Sequence, residues 1–190
     1  MSSKGFLVVN GPNLNLLGER EPTIYGSISL SEIEEACRSW GKRQGREIRC
    51  FQSNAEGALL DFLHENRWNA AGAVLNGAAY THTSIALRDC VRAIGIPVIE
   101  VHLSNVAARE PFRATSLLAP VARGTISGLG PRGYLLALDA LIQGEDREVH
   151  QAQSAEQALS LLLEHEFALA ILDVQMPGMG GVEAVRRLAT

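Results

Sequence analysis

Apolar and polar positions along this chain form blocks of two lengths. Phe6-Leu-Val-Val-Asn10 is a short, almost wholly apolar run, as a strand buried on both faces should be. Comparable short blocks follow at 47–52, 71–76, 97–102 and 124–127. Between them lie stretches of helical period. Ser31-Glu-Ile-Glu34 has capping-box spacing, Ile33, Ala36, Cys37 and Trp40 repeat behind it, and Gly45 closes the element. The spacing predicts further helices over 55–65, capped by Asn54, over 84–93, ended by Gly95, and over 134–142. Strand and helix therefore alternate, which predicts a parallel sheet covered on both faces.

In sheets of that kind ligands bind beyond the carboxyl ends of the strands. Three segments fall there, 10–26, 76–83 and 102–113, and the polar residues of the chain concentrate in them. The first, NGPNLNLLGEREPTIYG, is far longer than a corner requires, and it offers Asn13, Arg20 and Tyr25. A tyrosine with a free pKa of about 10 is a poor base at neutral pH, and a nearby guanidinium favours its phenolate. An Arg–Tyr pair is thus a candidate general base, beside the plain alternative of an exposed tyrosine over a loop arginine.

The second segment, NGAAYTHTS, carries Asn76, Tyr80, His82 and Ser84, the last also suited to cap a helix. In the third, EVHLSNVAAREPFR, strand alternation puts Glu100 and His102 on one face, where a carboxylate can fix an imidazole's tautomer. Leu103 and Ser104 bring backbone N–H groups to the strand end. Arg109 and Arg113 stand at i, i+4 spacing and by themselves read as a solvated basic face. No His/Cys/Asp set has metal-ligand spacing, and the two lysines, Lys4 and Lys42, lie away from the strands' carboxyl ends, so neither a metal nor a Schiff base is expected. Proton abstraction beside a carbonyl, with acid-assisted loss of a leaving group from a small polar carboxylate, fits this inventory.

Composition narrows the classes further. The chain has 190 residues, 46% hydrophobic and 20% charged, enough for a packed core. A net charge of -4 gives no footprint for nucleic acid, and no apolar run approaches the roughly 20 residues of a membrane span. The N-terminus lacks the long apolar segment of a signal peptide. Cys37, Cys50 and Cys90 are odd in number and widely spaced, as free thiols in a reducing compartment would be, so a cytoplasmic location is expected.

Four blocks, NGPNLNLLGEREPTIYG, NGAAYTHTSIALRD, EVHLSNVAAREPFRATS and ISGLGPRGYLLAL, resemble type II 3-dehydroquinate dehydratase in order and spacing, over about residues 5 to 143. The resemblance implies a flavodoxin-like fold, a five-stranded parallel sheet of order 2-1-3-4-5 with helices on both faces. It also implies metal- and cofactor-free dehydration of 3-dehydroquinate to 3-dehydroshikimate in the shikimate pathway, through an enolate. In that scheme Tyr25 removes a C2 proton, Arg20 keeps it ionised, and Asn13 helps stabilise the enolate through a water. His102, oriented by Glu100, protonates the departing C1 hydroxyl. Asn76, His82, Arg113 and the backbone of Leu103 and Ser104 bind substrate. Asp89 reaches a neighbouring subunit's site, since the family forms a homo-oligomer, a dodecamer built from trimers. One departure is visible: after Asn76 the family usually has Pro-Gly-Ala where this chain has Gly77-Ala78-Ala79, which implies a less fixed loop.

Two further stretches compete for attention. Gly128-Leu-Gly-Pro-Arg-Gly133 matches GxGxxG after a strand and before a helix, with Glu148 downstream. It lies at the last strand, however, so no two-half nucleotide fold can follow, and Pro131 suits the first turn of a helix. Residues 147–188 resemble the middle of a response-regulator receiver domain, a partial β-α-β-α with Asp173 at the phospho-acceptor position. The acidic pair of that family's first strand is replaced upstream by dehydratase residues, and its later hydroxyl and lysine positions find no counterpart before Thr190. The expected organisation is a dehydratase domain over 1–143 and an incomplete receiver-like segment over 144–190, poorly ordered or docked and without phosphotransfer.

Overall fold

The computed structural model describes residues 4–19 and 28–145. The receiver-like segment from residue 146 onward, together with Arg20 and Tyr25, lies outside the described residues, and residues 144 and 145 still belong to the last described helix. Chain order runs β1 (Gly5–Asn10), α1 (Leu30–Arg43), β2 (Ile48–Gln52), α2 (Glu56–Asn66), β3 (Ala70–Asn76), α3 (Ile85–Ala93), β4 (Val98–His102), β5 (Gly124–Ser127) and α4 (Arg132–Glu145). The strands form one sheet of order β2-β1-β3-β4-β5, parallel at every pairing. Order and class are those expected from the sequence.

The alternation of β1 builds both halves of the core. Phe6 and Val8 join Ile33, Trp40, Val74, Tyr134 and Leu138 on the face covered by α1 and α4. Leu7 and Val9 join Leu59, Leu63, Leu75, Leu87 and Val91 under α2 and α3. Each deeply buried Leu or Phe contributes roughly 1.5–3 kcal/mol relative to an exposed one, so a central strand buried on both faces anchors the whole sheet. The helices on the first face are also tied by a polar contact, in which the Trp40 indole N–H donates to Asp139 at 2.7 Å.

Two helix starts differ from the sequence reading. The capping box of α1 is Ser29 with Glu32: Ser29 Oγ accepts from the Glu32 N–H at 3.3 Å and Glu32 Oε2 accepts from the Ser29 N–H at 2.8 Å. The segment SISLSEIEE offers the same spacing twice, and the pair nearer Leu30, the first helical residue, is the one that forms. Glu34 instead pairs with Arg38 one turn on, at 2.8 Å. Asn54 does not cap α2, whose N-cap is Ala55. Its Oδ1 accepts from the backbone of Asn13 at 2.8 Å, a contact across 41 residues that draws the first loop over the sheet edge. Ser84 does cap α3, accepting from the Leu87 N–H at 2.7 Å.

The Gly77-Ala78-Ala79 departure leads into a short helical turn, Tyr80–Thr83, within the segment expected to be loop. Against the expectation of a less fixed loop, the segment has partners along its length. Asn76 O accepts from Gly11 at 2.8 Å, Gly77 O from Tyr80 at 3.0 Å, and Asn76 Oδ1 from the Ala78 N–H at 3.2 Å. A Cβ at Gly77 would lie 2.7 Å from Thr81 Oγ1 and 2.9 Å from Leu118 Cδ1, so the family's usual proline would have to displace both. Ala78 carries the cost, with a left-handed φ of 49°. That conformation disfavours an L-residue by roughly 1–2 kcal/mol, partly offset in an Ala→Gly exchange by the freer unfolded chain, about 0.4–1 kcal/mol. Ala78→Gly is therefore expected to stabilise the fold by about 0.5–1 kcal/mol, read as a higher denaturation midpoint with unchanged slope; a lower midpoint would mean that the position carries no backbone strain.

Candidate active site

The sheet order reverses between β1 and β3, and ligands of such sheets sit at that switch point. A cleft opens there. Asn13 borders it from the β1 loop, Asn76 and His82 from the end of β3, and His102, Leu103 and Ser104 from the end of β4. Arg109 and Arg113 complete its rim.

Strand β4 supplies the central pair. Glu100 and His102 point to the same face, and His102 Nε2 lies 2.7 Å from Glu100 Oε1. Glu100 is wholly buried, behind the cleft rather than on its wall. Because an ionised carboxylate only accepts, Nε2 carries a proton and Nδ1 is the nitrogen left to the cleft. The remaining demands of that carboxylate are met by the Ser116 hydroxyl, 2.8 and 3.0 Å from its two oxygens, and by Thr125 at 3.3 Å.

His82 lies beside this pair, its ring nearly parallel to His102 (17°) with centroids 6.4 Å apart. Its Nδ1 meets the Thr115 carbonyl at 2.8 Å. A carbonyl cannot donate, so in the neutral ring Nδ1 holds the hydrogen and Nε2 is free to accept.

Asn76 is held from below. Its Nδ2 donates to the Tyr134 hydroxyl at 2.8 Å, and that hydroxyl donates to Asn10 Oδ1 at 2.7 Å. All three residues are buried. Removal from water pushes the Tyr134 hydroxyl well above the usual phenol range, so it serves as a fixed neutral partner. Asn13 stands in the left-handed region, φ 64°, a conformation asparagine tolerates better than most residues. On the rim, Glu110 links the arginines, accepting from Arg113 Nε at 2.9 Å and lying 3.4 Å from Arg109 Nε. A hydrogen bond from its own backbone holds the Glu110 carboxyl below the usual range, helped by Arg113 and by both positive charges.

The structure thus gathers Asn13, Asn76, His82, His102, Leu103, Ser104 and Arg113 around one cleft, with Glu100 in support. Asp89 is not among them: it is exposed on α3, 3.0 Å from Arg88. Four residues escaped the sequence reading, Asn10, Ser116, Thr125 and Tyr134. A tyrosine on the buried face of an otherwise apolar helix was the one visible sign; a serine in ATSLLAP gave none.

The GxGxxG stretch has a different use. The N–H of Gly128 donates to His102 O at 3.2 Å and that of Gly130 to Leu103 O at 2.9 Å. A phosphate cradle needs such N–H groups open, and here they brace the end of β4. Left-handed φ values of 83° and 57° at Gly128 and Gly130 explain the glycines.

Comparison with known proteins agrees with this fold. Residues 4–142 match the family Dehydroquinase class II, and residues 133–190 match the Response regulator receiver domain. A 3-dehydroquinate dehydratase of Ruegeria pomeroyi is 56% identical over 135 residues, covering 71% of this chain and 91% of the relative. One from Maricaulis maris is 58% identical over 135 residues, covering 71% and 92%. The crystal structure of type II dehydroquinase from Butyrivibrio crossotus superposes with a TM-score of 0.73 at 44% identity, over 75% of this chain and 99% of that one. That of Propionibacterium acnes gives 0.71 at 40% identity, over 74% and 97%. On fold, cleft and likeness together, the chain belongs to the class II dehydroquinase family.

Proposed function

We propose that this chain is a type II 3-dehydroquinate dehydratase, converting 3-dehydroquinate to 3-dehydroshikimate in the shikimate pathway. The observation that carries the reading is the buried Glu100–His102 pair at 2.7 Å, set behind a cleft of amides, an imidazole and arginines. The substrate is a β-hydroxy ketone. Its C3 carbonyl acidifies the C2 proton, and the hydroxyl on C1 leaves once the enolate has formed. Tyr25, as the phenolate that Arg20 favours, takes the C2 proton, and Asn13 steadies the enolate oxygen through a water. The enolate electrons then form the C1–C2 double bond as the C1–O bond breaks. His102 gives its Nδ1 proton to that oxygen and water leaves; Tyr25 then releases the C2 proton to solvent and His102 takes one up at Nδ1, which restores both groups. Glu100 balances the imidazolium and keeps the ring aimed. Asn76, His82, Arg113 and the backbone of Leu103 and Ser104 hold the carboxylate and hydroxyls, with Asp89 contributed to a neighbouring subunit in a dodecamer of trimers.

This reading divides the chain into a catalytic domain, 1–143, and a receiver-like segment, 144–190, that takes no part in the chemistry. Asp173 lacks the acidic pair that would bring Mg²⁺ to it, and one carboxylate does not serve both metal and phosphoryl group.

Added to metal-stripped protein, with or without prior borohydride, 3-dehydroquinate is expected to yield the ultraviolet absorbance of a conjugated enone; no product from folded protein would overturn the assignment. Tyr25→Phe is expected to abolish turnover while binding of substrate persists, and near-normal turnover would remove Tyr25 as the base. Sedimentation of the full chain beside one ending at Gly144 is expected to give the same dodecamer, and a smaller species for the full chain would show the segment obstructing assembly. Acetyl phosphate with Mg²⁺ is expected to leave Asp173 unlabelled.

A further inference from the structure

We infer that Ser116 is a positioning residue for the acid His102, acting through Glu100, and that with Thr115 beside it one short segment sets which nitrogen each site histidine offers to the cleft. The inference rests on the proposed role of His102 as the acid.

A carboxylate with no solvent exposure must find donors in the protein, or it loses more than its pairing with an imidazole returns. Among the described residues Glu100 has three: the His102 Nε2–H at 2.7 Å, the Ser116 hydroxyl at 2.8 and 3.0 Å, and the more distant Thr125 hydroxyl at 3.3 Å. Of these two hydroxyls, Ser116 reaches both carboxylate oxygens and Thr125 reaches one. It fixes the plane of the carboxylate, and that plane fixes the direction in which Oε1 receives the imidazole.

The same hydroxyl oxygen accepts from the backbone N–H groups of Leu118 and Ala119, at 3.0 and 2.9 Å. With its lone pairs occupied in this way, its single hydrogen has one direction left, toward Glu100. Accepting two hydrogen bonds also polarises that O–H and strengthens the bond it donates. A serine serving only as a loop cap would have its hydrogen in solvent. Nor is the arrangement that of a nucleophilic triad: the hydroxyl donates to the carboxylate and not to the imidazole, and so is not activated by the ring.

The segment reaches the second histidine as well. The Thr115 carbonyl takes the His82 Nδ1–H at 2.8 Å, and the Leu117 N–H donates to Thr81 O at 2.8 Å. Residues 115–117 are thereby strapped to the turn that carries His82 and to the carboxylate behind His102. The two rings, 6.4 Å apart and nearly parallel, are held from one place. One is left with Nδ1 and the other with Nε2 toward the substrate.

The test is Ser116→Ala beside Ser116→Thr in the full chain, with steady-state kinetics on 3-dehydroquinate and the ring N–H resonances of His102 read by NMR. Loss of a hydrogen bond to an ionised group predicts a fall of about tenfold in kcat for S116A. KM is expected to change little, because Ser116 touches no substrate. The protected, downfield Nε2–H resonance of His102 should broaden or vanish in S116A, and both properties should return in S116T. Unchanged kcat with an unchanged resonance would overturn the inference. A lost resonance with unchanged kcat would keep Ser116 as the group that orients the ring and would overturn instead the role of His102 as acid, which His102→Ala reports separately. Should S116A fail to fold, Thr125→Val removes the second hydroxyl from the same carboxylate. A smaller loss of kcat in the same direction is expected there, and none at all would count against the inference.

Discussion

A negative charge sealed inside the protein governs the rest of this site. Glu100 has no exposure to solvent, and such a group persists only where its surroundings are arranged around it. It takes one donor from its own strand, one from β5 and one from the segment after Arg113. The imidazole is thus one of several partners recruited to satisfy a buried anion. Its orientation toward the cleft follows from that obligation as much as from catalysis.

The sheet makes the obligation affordable by fixing backbone ends. Register sets Glu100 level with Thr125 and His102 level with Ser127, so β5 arrives with a hydroxyl where the carboxylate needs one. The glycines after β5 then close back on His102 O and Leu103 O. On the other side of the cleft, Asn10 and Asn76 are paired in register on neighbouring strands and meet the same phenol of α4. Both sides follow one plan, in which a polar side chain at a strand end is steadied by an element arriving much later in the chain.

That plan explains what the sequence disclosed. The positions of the strands, the two-faced burial of β1 and the common face of Glu100 and His102 were legible because they depend on local periodicity and on strand alternation, whereas the order of the strands followed from the family resemblance. The cleft residues were legible because they cluster at strand ends and carry recognisable chemistry. The supports were not. Ser116, Thr125 and Tyr134 lie 16, 25 and 58 residues from the groups they hold, and nothing in their immediate neighbours distinguishes them. Asn54 misled for the same reason: its local setting suits a helix cap, whereas its partner is Asn13, 41 residues away. The double Ser-x-x-Glu spacing before α1 shows a milder form, in which two local solutions compete and the position of Leu30 decides.

Helix α4 belongs to two likenesses at once, since residues 133–142 fall within both matched families. In this fold the helix has already spent its apolar side: Tyr134, Ala137, Leu138 and Leu141 are all buried in the core it shares with α1. A receiver fold would ask the same side chains to cover a different sheet. One stripe cannot face two sheets, so the two families' claims on these residues are mutually exclusive. Releasing the helix would expose its three large side chains at roughly 1.5–3 kcal/mol each. It would also withdraw the phenol on which Asn10 and Asn76 converge. The boundary between the two likenesses is therefore contested in sequence and decided in structure, where the sheet of β1–β5 holds the helix.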